Sequence, residues 1–162
     1  MSETFTIPGP PAGWRTQHSG RHVGKGKVIV TTRLADPGDG WQKAAIARLR
    51  FAYRGKPMTG PLRIRVDGVY PRPKRLDCPH VRACSCGPEM LTGEAQWFTS
   101  TPDATNVHKL AEDALVKAGV IEDDRLVCDY GGSARYAAKG EDPHVRITIG
   151  AAEPLAGKGR DD

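Results

Sequence analysis

The stretch from Thr101 to Arg125 constrains the fold most, because it has the pattern of one well-bounded amphipathic helix. Asp103 stands where a short acidic side chain would cap the first backbone amides, and Gly119 follows Lys117 as a typical helix end. Apolar residues recur between them at helical spacing and predict a single buried stripe. The stripe consists of Val107, Leu110, Ala111, Ala114, Leu115 and Ala118.

The face of this helix opposite the stripe is predicted to carry polar side chains that can do chemistry. Thr105, Lys109 and Glu112 follow one another at i, i+4 and i+7, so they should align along the helix. A second acidic cluster, residues 122–124, follows after a short apolar link. Carboxylates gathered around a lysine are suited to a divalent metal ion and a phosphate group.

The net charge of +5 is divided unevenly along the chain. Residues 1–100 hold 16 Lys and Arg against 7 Asp and Glu, whereas residues 101–162 hold 8 against 12. A basic body around an acidic pocket favours a protein that acts on nucleic acid, with cations on the phosphates and carboxylates on a metal. Many basic proteins bind no polyanion, so charge alone leaves both interpretations open.

The remaining pattern predicts one further helix, Trp41 to Tyr53, among several short strands. The strands are predicted at residues 5–7, 28–32, 62–66 with an extension to 70, 126–130 and 145–149. Segments rich in Gly and Pro are predicted to be loops or turns. They are residues 8–27, the turn at 36–40, and a turn around 131–132 that would join the last two strands.

This order of elements favours an α+β fold in which a mixed β-sheet carries two main helices. A chain of 162 residues is expected to form one domain over residues 1–152, with an irregular insertion at 76–101 and a flexible tail at 153–162. No run of about 18 apolar residues occurs, so no membrane span is expected. The first residues lack the pattern of a signal peptide, and we expect a cytoplasmic protein.

Three cysteines and a histidine cluster within the predicted insertion. Cys78, His80, Cys84 and Cys86 could supply four ligands to a structural Zn²⁺, whereas Cys128 is remote. The spacing is not that of paired Cys-x-x-Cys motifs, and Cys84 and Cys86 are close together for two ligands of one metal. Free cysteines or a redox-sensitive pair in an exposed loop are the alternatives.

The combined spacing of residues 102–124 resembles the RusA family of Holliday junction resolvases, endonucleases that cut four-way DNA junctions. The matching residues are Pro102, Asp103, Asn106, Lys109, Asp113, Ala114, Leu115, Asp123 and Asp124. The N-terminal FTIPGPPAGWR is similar to the family's opening strand and Pro-rich loop. The resemblance extends from about Phe5 to Ile149 and implies a RusA-like fold and a homodimer.

The resemblance also implies which residues are catalytic. The family's three aspartates would correspond to Asp103, position 105 and Asp124, with Lys109 as the essential cation. Position 105 is Thr in this chain, which removes one charge from the implied metal site. We expect Glu112, two turns further along the same helix face, to supply the missing carboxylate, with Thr105 holding a water. Alternatively, the protein binds junctions but cuts them poorly, and Glu112 only pairs with Lys109.

On this interpretation Asp103, Glu112 and Asp124 hold one or two Mg²⁺ ions, for which Mn²⁺ could substitute. Lys109 would stabilise negative charge in the transition state, and Asn106 would orient a ligand or a water. Asp113 and Asp123 would support the site. The homodimer would present two such sites and nick symmetry-related strands of a four-way junction.

Four cations are candidates for contacts with DNA phosphates: Arg15, Arg72, Lys74 and Arg75. A different interpretation is a non-catalytic DNA-binding module ordered by zinc at residues 78–86. A plain RNA-binding protein is a third, weaker interpretation, because the chain has only three Trp, three Phe and four Tyr and no aromatic RNA-binding motif.

Overall fold

The computed structural model describes residues 2–13, 16–23, 27–34, 37–73 and 94–154. Within these ranges the chain forms two α-helices and seven β-strands. In chain order they are β1 (Ser2–Pro8), β2 (Thr16–Val23), β3 (Lys27–Leu34), α1 (Gly38–Ala52), β4 (Leu62–Tyr70), β5 (Gln96–Trp97), α2 (Ala104–Ala118), β6 (Val127–Tyr136) and β7 (His144–Ala151). A short 3₁₀ helix, Asp124–Leu126, precedes β6.

Five strands form one mixed sheet in the order β1-β7-β4-β6-β5, and β2 and β3 form a separate antiparallel pair. Among the described strands of the five-stranded sheet, only β4 and β6 are parallel neighbours. Parallel strands need a long crossover, and α2 lies in the crossover between β4 and β6. The α+β prediction of a mixed sheet with two helices is confirmed.

The two helices pack against each other. In addition, α1 packs against β1, and α2 packs against β4 and β6. Alternate residues of the strands point towards the helices, as in Leu62, Ile64 and Val66 of β4, which are buried. The helices contribute residues such as Leu49 and Leu110, which are fully buried in the same core. The hydrophobic core therefore lies between one face of the sheet and the two helices.

The predicted limits of α2 are confirmed. Asp103 is the N-cap residue and its side chain accepts a hydrogen bond from the backbone amide of Asn106. Gly119 ends the helix in the left-handed conformation, with φ of 77°. The stripe residues Val107, Leu110 and Ala114 are buried in the core. Sequence pattern and structure agree most closely in this element.

Three of the predicted loops and turns are wrong. Residues 8–27 do not form a single loop, because Thr16–Val23 pairs along its length with Lys27–Leu34 and so satisfies its backbone groups. In place of the predicted turn at 36–40, α1 begins at Gly38, because the backbone of Pro37, immediately before the helix, already has a helical conformation. Gly131 and Gly132 lie inside β6.

Gly132 is required for a close approach of two strands, which explains why a glycine pair does not form a turn here. Its φ is 142°, and a Cβ atom at this position would clash with the backbone of Val66 in β4. Ser133 and Ala134 then continue the parallel pairing opposite Asp67 and Gly68. The last two strands are instead separated by residues 137–143.

Several predictions concern residues beyond the described ranges. The zinc candidates Cys78, His80, Cys84 and Cys86, and most of the insertion at 76–101, lie there, although its end includes β5. The tail is described only to Pro154. Single-domain organisation and the homodimer stay predictions. None of the helices in the described ranges has the length and apolar character needed to cross a membrane.

Candidate functional site

A cavity of about 390 Å³ lies between one face of α2 and the middle of β6. Since β5 pairs only with residues 135 and 136 of β6, the cavity is near a sheet edge that is largely unpaired in the described part of the chain. The helix lines it with Ala104, Thr105, His108, Lys109 and Glu112, and the strand with Tyr130, Gly131 and Gly132. Three predicted site residues, Thr105, Lys109 and Glu112, therefore meet here.

The first turn of α2 organises one end of this site. Asp103 Oδ1 accepts hydrogen bonds from the backbone N of Asn106 at 2.9 Å and from Thr105 Oγ1 at 2.8 Å. The bond from the Asn106 amide, followed by that from Thr105, lowers the pKa of the exposed Asp103 carboxyl. Asp103 is therefore an ionised carboxylate at neutral pH, and Thr105 is bound to it.

Tyr70 of β4 anchors the chain immediately before Asp103. Its hydroxyl donates a hydrogen bond to the carbonyl of Pro102 at 2.9 Å, and its ring stacks on Phe98 with centroids 3.5 Å apart. Burial, and then the charge of Asp103, raise the pKa of Tyr70 to about 12. Gly13 packs so closely against Pro102 that a side chain there would clash. The Pro-rich loop and the sheet thus fix where α2 begins.

Lys109 joins the helix to the acidic segment after it. Its Nζ donates to Asp124 Oδ2 at 3.0 Å and forms a second ion pair with Asp113 Oδ1 at 3.3 Å. The hydrogen bond to Asp124 is the main reason why the pKa of Lys109 is raised, so this group is a cation at neutral pH. The predicted convergence of helix face and following turn is present around this ammonium group.

Glu112 differs from the prediction, because it does not lie on a solvent-exposed face. Only 7% of the residue is exposed, and Oε1 has no hydrogen-bond partner. Burial is the main cause that raises the pKa of Glu112, whereas the charge of Lys109 opposes the shift. The helix face that carries Glu112 is covered by β6, which a helical pattern alone does not indicate.

The other predicted residues have structural partners. Asp123 caps the 3₁₀ helix and accepts hydrogen bonds from the Arg125 side chain and amide, which lower its pKa to about 2. Arg72 donates to the carbonyls of Glu94 and Ala137. The other DNA-contact candidates, Arg15, Lys74 and Arg75, lie outside the described residues. Asp123 is thus engaged in local structure rather than in the cavity.

Sequence reasoning missed two side chains of the cavity, His108 and Tyr130. Burial lowers the pKa of His108, so its ring is neutral at neutral pH. Tyr130 is 57% exposed and donates to the carbonyl of Val127 at 3.1 Å. His108 is three residues after Thr105 and could have been found from helical spacing. Tyr130 could not, because its position depends on how β6 packs beside α2.

The donor chemistry of the site suits a hard divalent cation. The carboxylates and the Thr105 hydroxyl supply oxygen beside the neutral ring of His108, and the unpartnered Glu112 Oε1 is a buried acceptor that lacks a cation or donor. The carboxylates are not drawn together into a ready-made cage, since the described ranges contain no group of three or more His, Cys, Asp or Glu that could hold a metal. Lys109 instead pairs with both Asp113 and Asp124, and its single positive charge offsets part of their negative charge.

Comparison with known proteins bears on the chain as a whole. The family model described as Endodeoxyribonuclease RusA matches residues 8–150, which is most of the sequence. No curated protein matches the chain. The match includes the capped helix α2, the Lys109–Asp124 pair and the strands that flank the cavity. This chain belongs to the RusA family of endodeoxyribonucleases.

Proposed function

We propose that the protein is a Mg²⁺-dependent endonuclease that resolves four-way DNA junctions, with its active site in the cavity between α2 and β6. Membership of the RusA family supports the reaction class. The residues proposed to carry the reaction are Asp103, Lys109, Glu112 and Asp124. Thr105, Asn106, Asp113 and Asp123 are proposed to support them.

The observation that carries this proposal is the state of Glu112. A carboxylate that is almost fully buried normally has hydrogen-bond partners for its oxygens, because burying an unpaired charge is costly. Glu112 Oε1 has none, yet the residue lines the same cavity as Thr105 and Lys109. A divalent cation would satisfy this oxygen. The cavity also contains Thr105, the position at which the family's carboxylate is missing.

Each residue has a distinct proposed role. Asp103, Glu112 and Asp124 would bind the metal through carboxylate oxygens, and Mn²⁺ could replace Mg²⁺. Bound metal would lower the pKa of the attacking water and offset charge on the scissile phosphate. Thr105 would orient Asp103 through the hydrogen bond that already joins them at 2.8 Å. Lys109 would turn from Asp124 to the phosphate and stabilise its extra negative charge.

The cation on Lys109 would also hold the acidic segment in place before metal binds. Two carboxylates share one ammonium, so the negative charge of Asp124 is offset in part in the free protein. Asp124 would exchange the ammonium group for the divalent ion, and Lys109 would then be free to turn to the phosphate. The exchange of one cation for another keeps the mutual repulsion of the carboxylates small.

Cleavage of a labelled synthetic four-way junction tests the proposal. The junction is incubated with the protein in Mg²⁺ or in EDTA, beside a linear duplex of the same sequence. Paired nicks on the junction alone, seen only with Mg²⁺, are the expected result. Equal cutting in EDTA would refute the role of the metal, and equal cutting of the linear duplex would refute junction selectivity.

Tight junction binding without cutting, in both Mg²⁺ and Mn²⁺, would favour the second interpretation. The protein would then be a DNA-binding module in which Thr105 has removed the activity and Glu112 has not restored it. Elemental analysis would then show whether the protein contains zinc, because this interpretation has zinc at residues 78–86 ordering the module.

A further inference from the structure

Most cations on the outer face of the described sheet are paired with carboxylates. Arg63 pairs with Asp129 and Glu153, Arg65 with Asp67, and Arg135 with Glu141. The opposite charges of these pairs cancel locally, so this face has little net positive potential despite its arginines. These cations resemble those of an ordinary solvated protein surface.

The outer surface of α1 and of the loop after it has a different charge pattern. Residues 40–61 contain five cations and no carboxylate: Lys43, Arg48, Arg50, Arg54 and Lys56. Lys43 pairs with Asp39, which precedes this segment, and Arg50 donates to the carbonyl of Lys117. Within the described ranges, Arg48, Arg54 and Lys56 form no ion pair. We call the surface formed by Arg48, Arg54 and Lys56 the α1 surface.

An exposed aromatic residue, Phe51, lies beside Arg48 and Arg54 of the α1 surface. Phe51 is 78% exposed, and the guanidinium carbon of Arg54 lies 5.7 Å from the centre of its ring. A groove of about 600 Å³ beside it is lined by Arg48 together with apolar residues of β1 and α1. The cation–π contact orients Arg54 without neutralising it. The surface therefore combines uncompensated positive charge with a shallow apolar groove.

The α1 surface lies towards the β1 end of the strand order, whereas the candidate active site lies beside β6. α1 packs against β1, at one edge of the sheet, whereas the cavity lies beside β6, three strand positions away. At about 4.8 Å per strand, β1 and β6 are separated by about 14 Å. This is about the rise of four base pairs of DNA. The cavity and the groove beside the α1 surface have no lining residue in common, so a DNA arm is expected to reach them with different phosphates.

We propose that the α1 surface is a second DNA-binding surface, which contacts the phosphate backbone of a duplex arm several base pairs from the cut. This rests on the proposed function, in which the substrate is branched DNA. Unpaired arginine and lysine side chains are the groups that bind DNA backbones through release of condensed counterions. Their separation from the cavity lets the protein hold an arm while Lys109 and the carboxylates act at the crossover.

A second copy of the chain is a poorer occupant for this surface. In a two-fold contact the same cations would face one another, and the repulsion between them would oppose association. The first hundred residues hold 16 Lys and Arg against 7 Asp and Glu, so the same region of a second copy would bring more positive than negative charge. A duplex arm supplies the required negative charge along its whole length.

Two matched double variants test the proposal. Arg48→Gln with Arg54→Gln removes two unpaired cations, whereas Arg63→Gln with Arg65→Gln removes two paired cations from the outer sheet face. Binding to a long-armed four-way junction is measured in EDTA over a range of salt concentrations. The slope of log K against log salt should become shallower by about 0.9 for each phosphate that the variant no longer neutralises. We expect this change in the first variant and a wild-type slope in the second.

Both variants should keep the wild-type unfolding temperature, because the substituted side chains are exposed. A wild-type slope in the Arg48 and Arg54 variant would overturn the proposal, as would an equal change in both variants. Wild-type DNA binding with loss of self-association would assign the groove to a second copy and would also overturn it. The assay requires no cleavage, so failure of the wild-type protein to cut would refute the proposed function alone.

Discussion

Lys109 Nζ and Asp124 Oδ2 lie 3.0 Å apart, although the residues are 15 positions apart in the sequence. This hydrogen bond connects the middle of α2 to the 3₁₀ helix that leads into β6. It also gives the acidic segment a cation while no metal is bound. The proposed reaction depends on this contact, because it holds a following carboxylate against Lys109, which lines the cavity.

Replacement of Asp124 by Asn should abolish junction cleavage and leave junction binding intact or stronger. The amide removes a charged metal ligand and reduces repulsion of phosphate. Both side chains of the Lys109–Asp124 pair are more than one-third exposed, so loss of the pair should cost about 1 kcal/mol of stability or less. Cleavage, binding and thermal unfolding of the variant are compared with those of Asp142→Asn, a carboxylate outside the cavity. Unchanged cleavage in Asp124→Asn would contradict the metal assignment.

Replacement of Glu112 by Gln should separate activity from stability. Cleavage should fall by about 100-fold, the effect of removing one strong electrostatic group from an active site. Stability should be unchanged or higher in EDTA, because the neutral amide avoids the cost of burying a carboxylate whose Oε1 has no hydrogen-bond partner, and this gain offsets the lost attraction of Lys109. Denaturant unfolding and single-turnover cleavage measure the two quantities. A large loss of stability with full activity per folded molecule would assign Glu112 a purely structural role.

The raised pKa of Glu112 predicts a particular pH dependence of stability. The folded protein holds this proton to higher pH than the unfolded chain does, for which the reference pKa is 4.5. The contribution of Glu112 to stability should therefore fall as pH rises from about 4.5 through the folded-state pKa, and then level off. Unfolding free energies are measured in EDTA across this range, and the difference between wild type and Glu112→Gln isolates the group. A constant difference would contradict the shift.

The glycine pair in β6 predicts that an alanine at position 132 destabilises the protein, whereas an alanine at position 131 meets no neighbouring atom. Gly132→Ala should destabilise the protein by about 2 to 5 kcal/mol, because the new Cβ would clash with the Val66 backbone at a φ of 142°. Gly131→Ala is the matched control, since nothing lies within 4 Å of its added Cβ. Chemical denaturation measures both variants. Equal stability of the two would mean that β4 and β6 do not approach as closely as described.

The capped helix α2 could be predicted almost completely from the sequence, because its local signals agree. The cap at Asp103, the apolar period and Gly119 all favour the same limits, and each acts over a few residues. The alternation of β4 from Leu62 to Val66 was equally informative, since one face is buried and the other exposed. Local pattern is sufficient where packing and propensity agree.

The predictions failed where the deciding contact is distant in sequence. Gly131 and Gly132 resemble a turn locally, but the approach of β4, more than sixty residues earlier, keeps them in a strand. Glu112 resembles an exposed helix residue, but β6 covers it and leaves Oε1 without a partner. Tyr130 belongs to β6 and lines the cavity because this strand packs beside α2. Tertiary packing, rather than helical spacing, determines which polar residues the site contains.

The central claim is that Glu112 supplies the carboxylate that is missing at position 105, and exchanging the two positions tests it most directly. Mg²⁺-dependent cleavage of a four-way junction is measured for wild type, Glu112→Gln, and Glu112→Gln combined with Thr105→Asp. We expect the single variant to be nearly inactive. The double variant should recover much of the wild-type rate, because Thr105 lines the same cavity and its hydroxyl already contacts Asp103. A fully active Glu112→Gln variant, or a folded double variant that remains inactive, would contradict the claim.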